Sequence, residues 1–270
     1  MNILTRILKS LQDGSFAIKA LNRISSTKYV PSKESLLDKF LPEQYPETNW
    51  KRLSSGAKQT WIDLSPVFAK IQIQNIAYVG AHDGEVALAI DEAFPMRHFY
   101  LIEAVPATFQ KLVGNVSTRP NMKCFNAAAG AKEEQLDMFV DSFSPASSLL
   151  PYEKSAIQEF PFLGHVQTLK VKVKPLDHIL QECNAGKIDM LVVDVQGYED
   201  EVLQGAAETL KSCKVIMSEL SLEALYKGSS TFDTVYHALL KEGFYLQHLL
   251  NPIRGANRRI LQIDGIFVRI

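Results

Sequence analysis

Four stretches of the sequence hold the side chains that could do chemistry. The first is Ile76-Ala77-Tyr78-Val79-Gly80-Ala81-His82-Asp83-Gly84, an apolar run feeding a tight turn with glycine at its first and fifth positions. Glycine reaches positive φ and carries no Cβ, so such a turn lets a ligand approach the backbone. The second is His98-Phe99-Tyr100-Leu101-Ile102, a strand pattern that finishes on Glu103. An acid there can accept both hydroxyls of an adenosine ribose. The third runs from Ile188 to Asp194 and continues Val195-Gln196-Gly197-Tyr198-Glu199; the fourth, Val215–Glu219, ends on another acid. Asp194 and Glu219, at the ends of adjacent central strands, could remove a proton from an alcohol, and so could His82. The same two carboxylates are the hard oxygens that Mg²⁺ prefers. Nothing at fixed local spacing requires a metal, and none is expected.

A loop of this kind followed by a strand-end acid suits two cofactors. A dinucleotide site asks for G-x-G-x-x-G, so that a helix N-terminus faces the pyrophosphate. Here position 82 is His and position 85 is Glu, and an acid at that helix start repels a diphosphate. S-adenosylmethionine carries no phosphate and meets no such objection. It is the expected cofactor, with a nicotinamide dinucleotide second.

The elements that must position these residues read as strands alternating with helices. Strand patterns cover Ile73–Val79, His98–Ile102, Met122–Asn126, Met190–Asp194, Val215–Glu219, Phe244–Leu249 and Ile263–Val268. Helical stretches lie around Glu85–Ala93, Ala107–Val113, Tyr198–Leu210 and Phe232–Lys241. That alternation predicts an α/β fold with a parallel sheet covered on both faces, whose ligands gather at the carboxyl ends of the strands. Gln135–Val140 and Thr168–Val173 alternate apolar with polar side chains and predict a small inserted β pair. The Ser- and Pro-rich Ser142–Pro151 stretch between them predicts a loop, and Ser142–Val166 could close over the substrate. Residues 1–70 differ in texture and are expected to form a helical N-terminal extension to a domain over 71–270. Leu4, Ile7, Leu8 and Leu11 recur there at helical spacing, with Arg6 and Lys9 interrupting any secretory apolar core.

Composition closes off several classes. With 29 Lys+Arg against 30 Asp+Glu, the chain lacks the basic excess that phosphate binding needs, so no nucleic-acid role is expected. No apolar run is long enough to span a bilayer. Three dispersed cysteines, Cys124, Cys183 and Cys213, read as reduced thiols of a cytoplasmic protein rather than a disulfide framework or zinc site.

The segments in their order resemble the FkbM-type methyltransferases, a branch of the class I S-adenosylmethionine-dependent enzymes. The likeness runs from about Ile71 to Ile270. It is carried by the glycine loop, the Glu103-Ala104-Val105-Pro106 turn, Asn126-Ala127-Ala128-Ala129-Gly130, Ser147-Ser148-Leu149, Pro175-Leu176-Asp177 and Asp194-Val195-Gln196-Gly197. Glu219, Leu225-Tyr226-Lys227-Gly228 and Gln262-Ile263-Asp264-Gly265 extend it. The resemblance implies a Rossmann-like sheet of seven strands, the last antiparallel, and methyl transfer to a hydroxyl of a small molecule such as a secondary metabolite or glycan. It implies that Gly80, Ala81, His82 and Gly84 line the methionine part and that Glu103, with Ala104 beside it, holds the ribose. Asn126, Ala127 and Ala128 would then sit by the adenine, with Asp194 and Gln196 at the reacting end. Tyr78 stands where the family usually has Asp, His82 where it often has Asn, and Val192 where it often has Lys. Tyr78 cannot offer a carboxylate to the cofactor's ammonium. Two other readings follow: a nicotinamide-dependent oxidoreductase, and a non-catalytic scaffold whose site the Tyr78 side chain blocks.

Overall fold

The strand ends that carry the candidate residues are aligned by one hydrogen-bonded ladder. In the computed structural model, residues 71–93, 97–255 and 257–269 are described; the helical extension expected over residues 1–70 lies outside them. The large sheet has the order β3-β2-β1-β7-β8-β10-β9. Its strands are β1 (Asn75–Val79), β2 (His98–Glu103), β3 (Met122–Asn126), β7 (Met190–Val193), β8 (Val215–Ser221), β9 (Phe244–Arg254) and β10 (Ile260–Arg269). β1, β2, β3, β7 and β8 pair in parallel, and β10 runs antiparallel to both β8 and β9. The expected seven-stranded sheet with an antiparallel last strand is therefore present.

Strand alternation divides the core. Ala77, Val79, Ile102, Leu191 and Val193 face one apolar layer, and Ile76, Tyr78, Leu101, Met190 and Val192 face the other. On the second layer lie α1 (Glu85–Ala93) and α2 (Pro106–Asn115), through Ala87, Ile90 and Leu112. On the first lie α4 (Leu176–Glu182), α5 (Glu199–Gln204), α6 (Ala207–Ser212) and α7 (Phe232–Lys241). From β1 the chain moves outward to β2 and β3 and then returns to β7 on the opposite side of β1. The change of direction opens a crevice at the carboxyl ends of β1 and β7.

The inserted β pair is β5 (Glu134–Asp141) and β6 (His165–Lys174), antiparallel, with the two-residue β4 (Ala128–Ala129) beside β6. The Ser142–Pro151 stretch expected as a loop holds a single 3₁₀ turn at Ser144–Ala146, and α3 (Lys154–Glu159) follows it before β6. The helix expected over Tyr198–Leu210 is two helices, because Gly205 packs so closely on Gly130 that a Cβ would lie 2.0 Å from the Gly130 carbonyl oxygen. Asp177 then caps α6, accepting from the backbone amides of Glu208 and Thr209 at 2.8 Å each. Cys124, Cys183 and Cys213 are unpaired. Among the described residues no helix is long and apolar enough to cross a membrane.

Gly205→Ala should thus lower stability by several kcal/mol in urea denaturation, since backbone rather than a flexible side chain blocks the added methyl. Gly114→Ala, where a Cβ on α2 meets nothing within 4 Å, should raise stability by up to about 1 kcal/mol.

Candidate active site

The register places the candidate acids in one row. Val79 pairs with Ile102 and with Val193, Val193 pairs with Ser218, and Asp264 pairs with Glu219. One residue further toward the carboxyl ends, Glu103, Gly80, Asp194, Glu219 and Asp264 follow one another across five strands. With the two-residue period, these positions share the side of the sheet that Tyr78 faces. A cavity of about 410 Å³ opens over the row.

The glycine loop forms one end. Gly80 has φ of +81°, and a Cβ there would lie 1.7 Å from the Asp194 carbonyl oxygen. Its missing side chain therefore lets β1 and β7 close on one another. The amides of Gly80 and Ala81 both donate to the Ile102 carbonyl, at 2.9 and 3.0 Å. The His82 amide donates to Glu103 Oε2 at 3.0 Å, and the Glu85 amide to Asp83 Oδ1 at 3.3 Å. A diphosphate would find these donors occupied and Asp83 and Glu85 beside it, which disfavours the nicotinamide reading.

Glu103 is buried at 7% exposure. Its Oε1 accepts from the Val105 amide at 2.8 Å, so each oxygen is fixed by one backbone donor and keeps a second lone pair for a ligand hydroxyl. Burial pushes its carboxyl upward, against the pull of those amides and of His82. Ala104, Ala127 and Ala128 continue this wall with no side chain beyond Cβ, leaving a flat slot beside Glu103.

The opposite end is acidic and tightly hydrogen-bonded. Gln196, at φ of +54°, donates through Nε2 to Asp194 Oδ1 at 2.8 Å and to Glu219 Oε2 at 3.1 Å. Its Oε1 accepts from the Tyr226 hydroxyl at 3.0 Å. Gln262 donates to Glu219 Oε2 at 2.7 Å, and Asn251 to Asp264 Oδ2 at 2.8 Å. Burial raises both Asp194 and Glu219. Glu219 rises well above the usual range because the charges of Asp194, Glu199 and Asp264 add to its burial. Asp194 is pulled back by Gln196 and His82. Both carboxyls are thus shifted toward the protonated form, Glu219 the more strongly. Burial also carries Asp264 to about 7.

A lid covers the cavity. Buried Asp141 gathers it, accepting from the Phe143 amide at 2.7 Å, the Tyr152 hydroxyl at 2.7 Å and the Gly164 amide at 2.8 Å. His82 Nε2 lies 2.8 Å from Ser144 Oγ and so ties the glycine loop to the lid. Burial opposes a charge on His82, but the Asp83 hydrogen bond and the charges of Asp83, Glu103 and Asp194 outweigh it and raise the pKa.

Of the residues singled out in the sequence, Gly80, Ala81, His82, Glu103, Ala104, Ala127, Ala128, Asp194, Gln196 and Glu219 all line this one cavity. Two do not. Gly84 faces α2, where a Cβ would lie 2.8 Å from Leu112. Asn126 is exposed and donates to the carbonyls of Glu103 and Ala104 at 2.8 and 3.1 Å, tying β3 to β2. Tyr78 is buried in the wall and borders the cavity without filling it, contrary to the blocked-site expectation. Tyr226, Asn251, Gln262 and Asp264 escaped the sequence reading as site residues. Among the described residues no group of three His, Cys, Asp or Glu side chains is arranged to hold a metal ion.

Residues 79–246 match the family model described as the methyltransferase FkbM domain. The 2-O-methyltransferase NoeI of Sinorhizobium fredii (strain NBRC 101917 / NGR234) is 24% identical over 156 residues. That match takes in 56% of this chain and 64% of NoeI, so the chain spans less than two thirds of this relative's length. Solved structures with similarity include Aeropyrum pernix fibrillarin with natively bound S-adenosyl-L-methionine, at 13% identity, 72% and 66% coverage of the two chains and a TM-score of 0.43. Another is the magnesium protoporphyrin IX methyltransferase ChlM of Synechocystis PCC 6803 with bound SAM, at 10% identity, 90% and 100% coverage and a TM-score of 0.46.

The site also stores a pH dependence. Glu199, 2% exposed, accepts from the amides of Val195 and Gly197, and burial takes it to about 7. An unfolded chain loses that proton near the ordinary glutamate value of about 4.3. Between these values the folded state holds more protons, so stability falls as pH rises through this window, and Asp264 acts in the same direction. Glu199→Gln keeps the Oε1 acceptor and removes the ionisation. Its stability should match the parent at pH 4 and exceed it at pH 8 by on the order of 3–4 kcal/mol in denaturant titrations.

Proposed function

The chain belongs to the FkbM methyltransferase family, and on that premise we propose that it is an S-adenosylmethionine-dependent O-methyltransferase acting on a hydroxyl of a small molecule. One observation carries the proposal: a carboxylate fixed for two hydroxyls at one end of a cavity, and an acidic corner for proton removal at the other, joined by a single row across the sheet. The name of the 2-O-methyltransferase relative fits oxygen as the accepting atom.

When bound, S-adenosylmethionine supplies an electrophilic methyl group on a sulfonium, so the protein has only to bind, align and manage one proton. Glu103 would hold the ribose hydroxyls on its two oxygens, and Ala127 and Ala128 would leave the adenine its slot. The negative row at Asp194 favours a sulfonium over its neutral product. Asp194 takes the acceptor's hydroxyl proton as the oxygen attacks. Gln196 fixes the carboxylate's direction by bonding one of its oxygens, leaving the other for the proton. Burial and the surrounding acids favour the protonated form of Glu219, which limits the negative charge beside Asp194. His82 and Ser144 close the lid on the loop side and exclude water.

Isothermal titration should show S-adenosylmethionine binding at micromolar concentration and Glu103→Ala weakening it at least about tenfold, the loss of two charge-assisted hydrogen bonds. No binding to the parent protein at millimolar cofactor contradicts the proposal. Asp194→Asn should leave S-adenosylhomocysteine affinity within about threefold, weaken S-adenosylmethionine more than that, and cut kcat by about 10²-fold or more.

A further inference from the structure

The walls of the cavity differ in a way that restricts the acceptor. The floor carries Asp83, Glu85, Glu103, Asp194, Glu219 and Asp264, and no lysine or arginine lines the cavity among the described residues. A carboxylate or phosphate on the acceptor would enter among acids, and His82, the one basic side chain in the lining among the described residues, is already engaged by Asp83 and Ser144. The facing wall is apolar: Phe143, Phe160, Phe162, Leu163, Leu225 and Ile253. Three of these rings pack edge-on or tilted, with centroids 5.5 Å apart for Phe143–Phe162 and 5.9 Å for Phe160–Phe162. The lid's hydroxyls turn back into the protein. Ser144 meets His82, Ser147 accepts from the Asp141 amide, Ser148 donates to the Gln196 carbonyl, and Tyr152 donates to Asp141. A polyhydroxylated ring pressed against this wall would lose its bonds to water and find few replacements.

Resting on the methyltransferase reading, we infer that the acceptor is an uncharged alcohol on an apolar aryl or alkyl skeleton. Its hydroxyl faces Asp194 and its body lies against the phenylalanines of the lid. This selects among hydroxyl acceptors: it disfavours glycans and hydroxy acids. Phe162 lines the cavity yet is 47% exposed and belongs to no buried core cluster, so it is the wall side chain whose change disturbs the core least.

The test is equilibrium binding to the full chain, with and without S-adenosylhomocysteine, of three probes. They are 2-naphthylmethanol, the same skeleton bearing a carboxylate (6-(hydroxymethyl)-2-naphthoate), and methyl β-D-glucopyranoside. The inference expects naphthylmethanol to bind at least about tenfold more tightly than either of the others. It expects Phe162→Ala to weaken that probe about fivefold while the affinity for S-adenosylhomocysteine is unchanged. Phe162→Arg should narrow the gap between the alcohol and the naphthoate. Equal or tighter binding of the glucoside or the naphthoate by the parent protein overturns the inference, as does failure of the S-adenosylhomocysteine-loaded protein to bind naphthylmethanol. Naphthylmethanol binding in a protein that takes no S-adenosylhomocysteine supports the apolar pocket and counts against the methyltransferase reading alone.

Discussion

The site depends on the register of a parallel ladder. Because β2, β1, β7 and β8 pair in step, their first residues past the strand ends fall side by side, and β10 adds Asp264 directly opposite Glu219. A slip of one residue would send the whole row to the other side of the sheet. Gly80 is what lets the row close: with any Cβ, β1 could not lie against the Asp194 carbonyl. The glycine that reads as a place for a ligand is thus first a place for a neighbouring strand, and the ligand space follows from that approach.

Crowding like charges in a row has a cost, and the structure meets it by making the carboxyls unequal. Gln196 bonds both Asp194 and Glu219, while Glu219 is ringed by acids and shares one oxygen between two amide donors. Two carboxyls with separated tendencies to ionise are what a proton-transfer site requires. Tyr78 belongs to the same balance. A neutral phenol whose ionisation is opposed by burial and by Asp194, Asp264, Glu219 and Glu103 occupies a position where another carboxylate would add to the repulsion. The lid is fastened from two sides, at His82–Ser144 and at Tyr226, whose hydroxyl also lies 3.0 Å from the Ala146 carbonyl. Closing it therefore completes the hydrogen bonding of the acidic corner.

Much of this was legible in the sequence. The strand–helix alternation located the strands of the large sheet, and the rule that ligands gather at carboxyl ends led to Glu103, Asp194 and Glu219. The rule failed at β10, an antiparallel strand that presents its amino end to the site. Gln262 and Asp264 therefore escaped notice as site residues although their segment had been singled out. Asn251 lies in β9 two residues past the expected strand end at Leu249, in a run that Pro252 interrupts. Tyr226 and Phe160 are brought in by long-range packing around Ala156 and Leu261, for which no local periodicity exists. Gly84 and Asn126 were drawn to the site by their neighbours in the chain, but serve helix packing and strand-end bonding.

The account reduces to one placement, and a crystal structure with S-adenosylhomocysteine soaked at millimolar concentration measures it directly. The predicted result is both ribose hydroxyls on Glu103 Oε1 and Oε2, the adenine beside Ala127 and Ala128, and the sulfur turned toward Asp194. An adenosyl group seated away from Glu103, or a ligand whose sulfur points away from the acidic row, would contradict it.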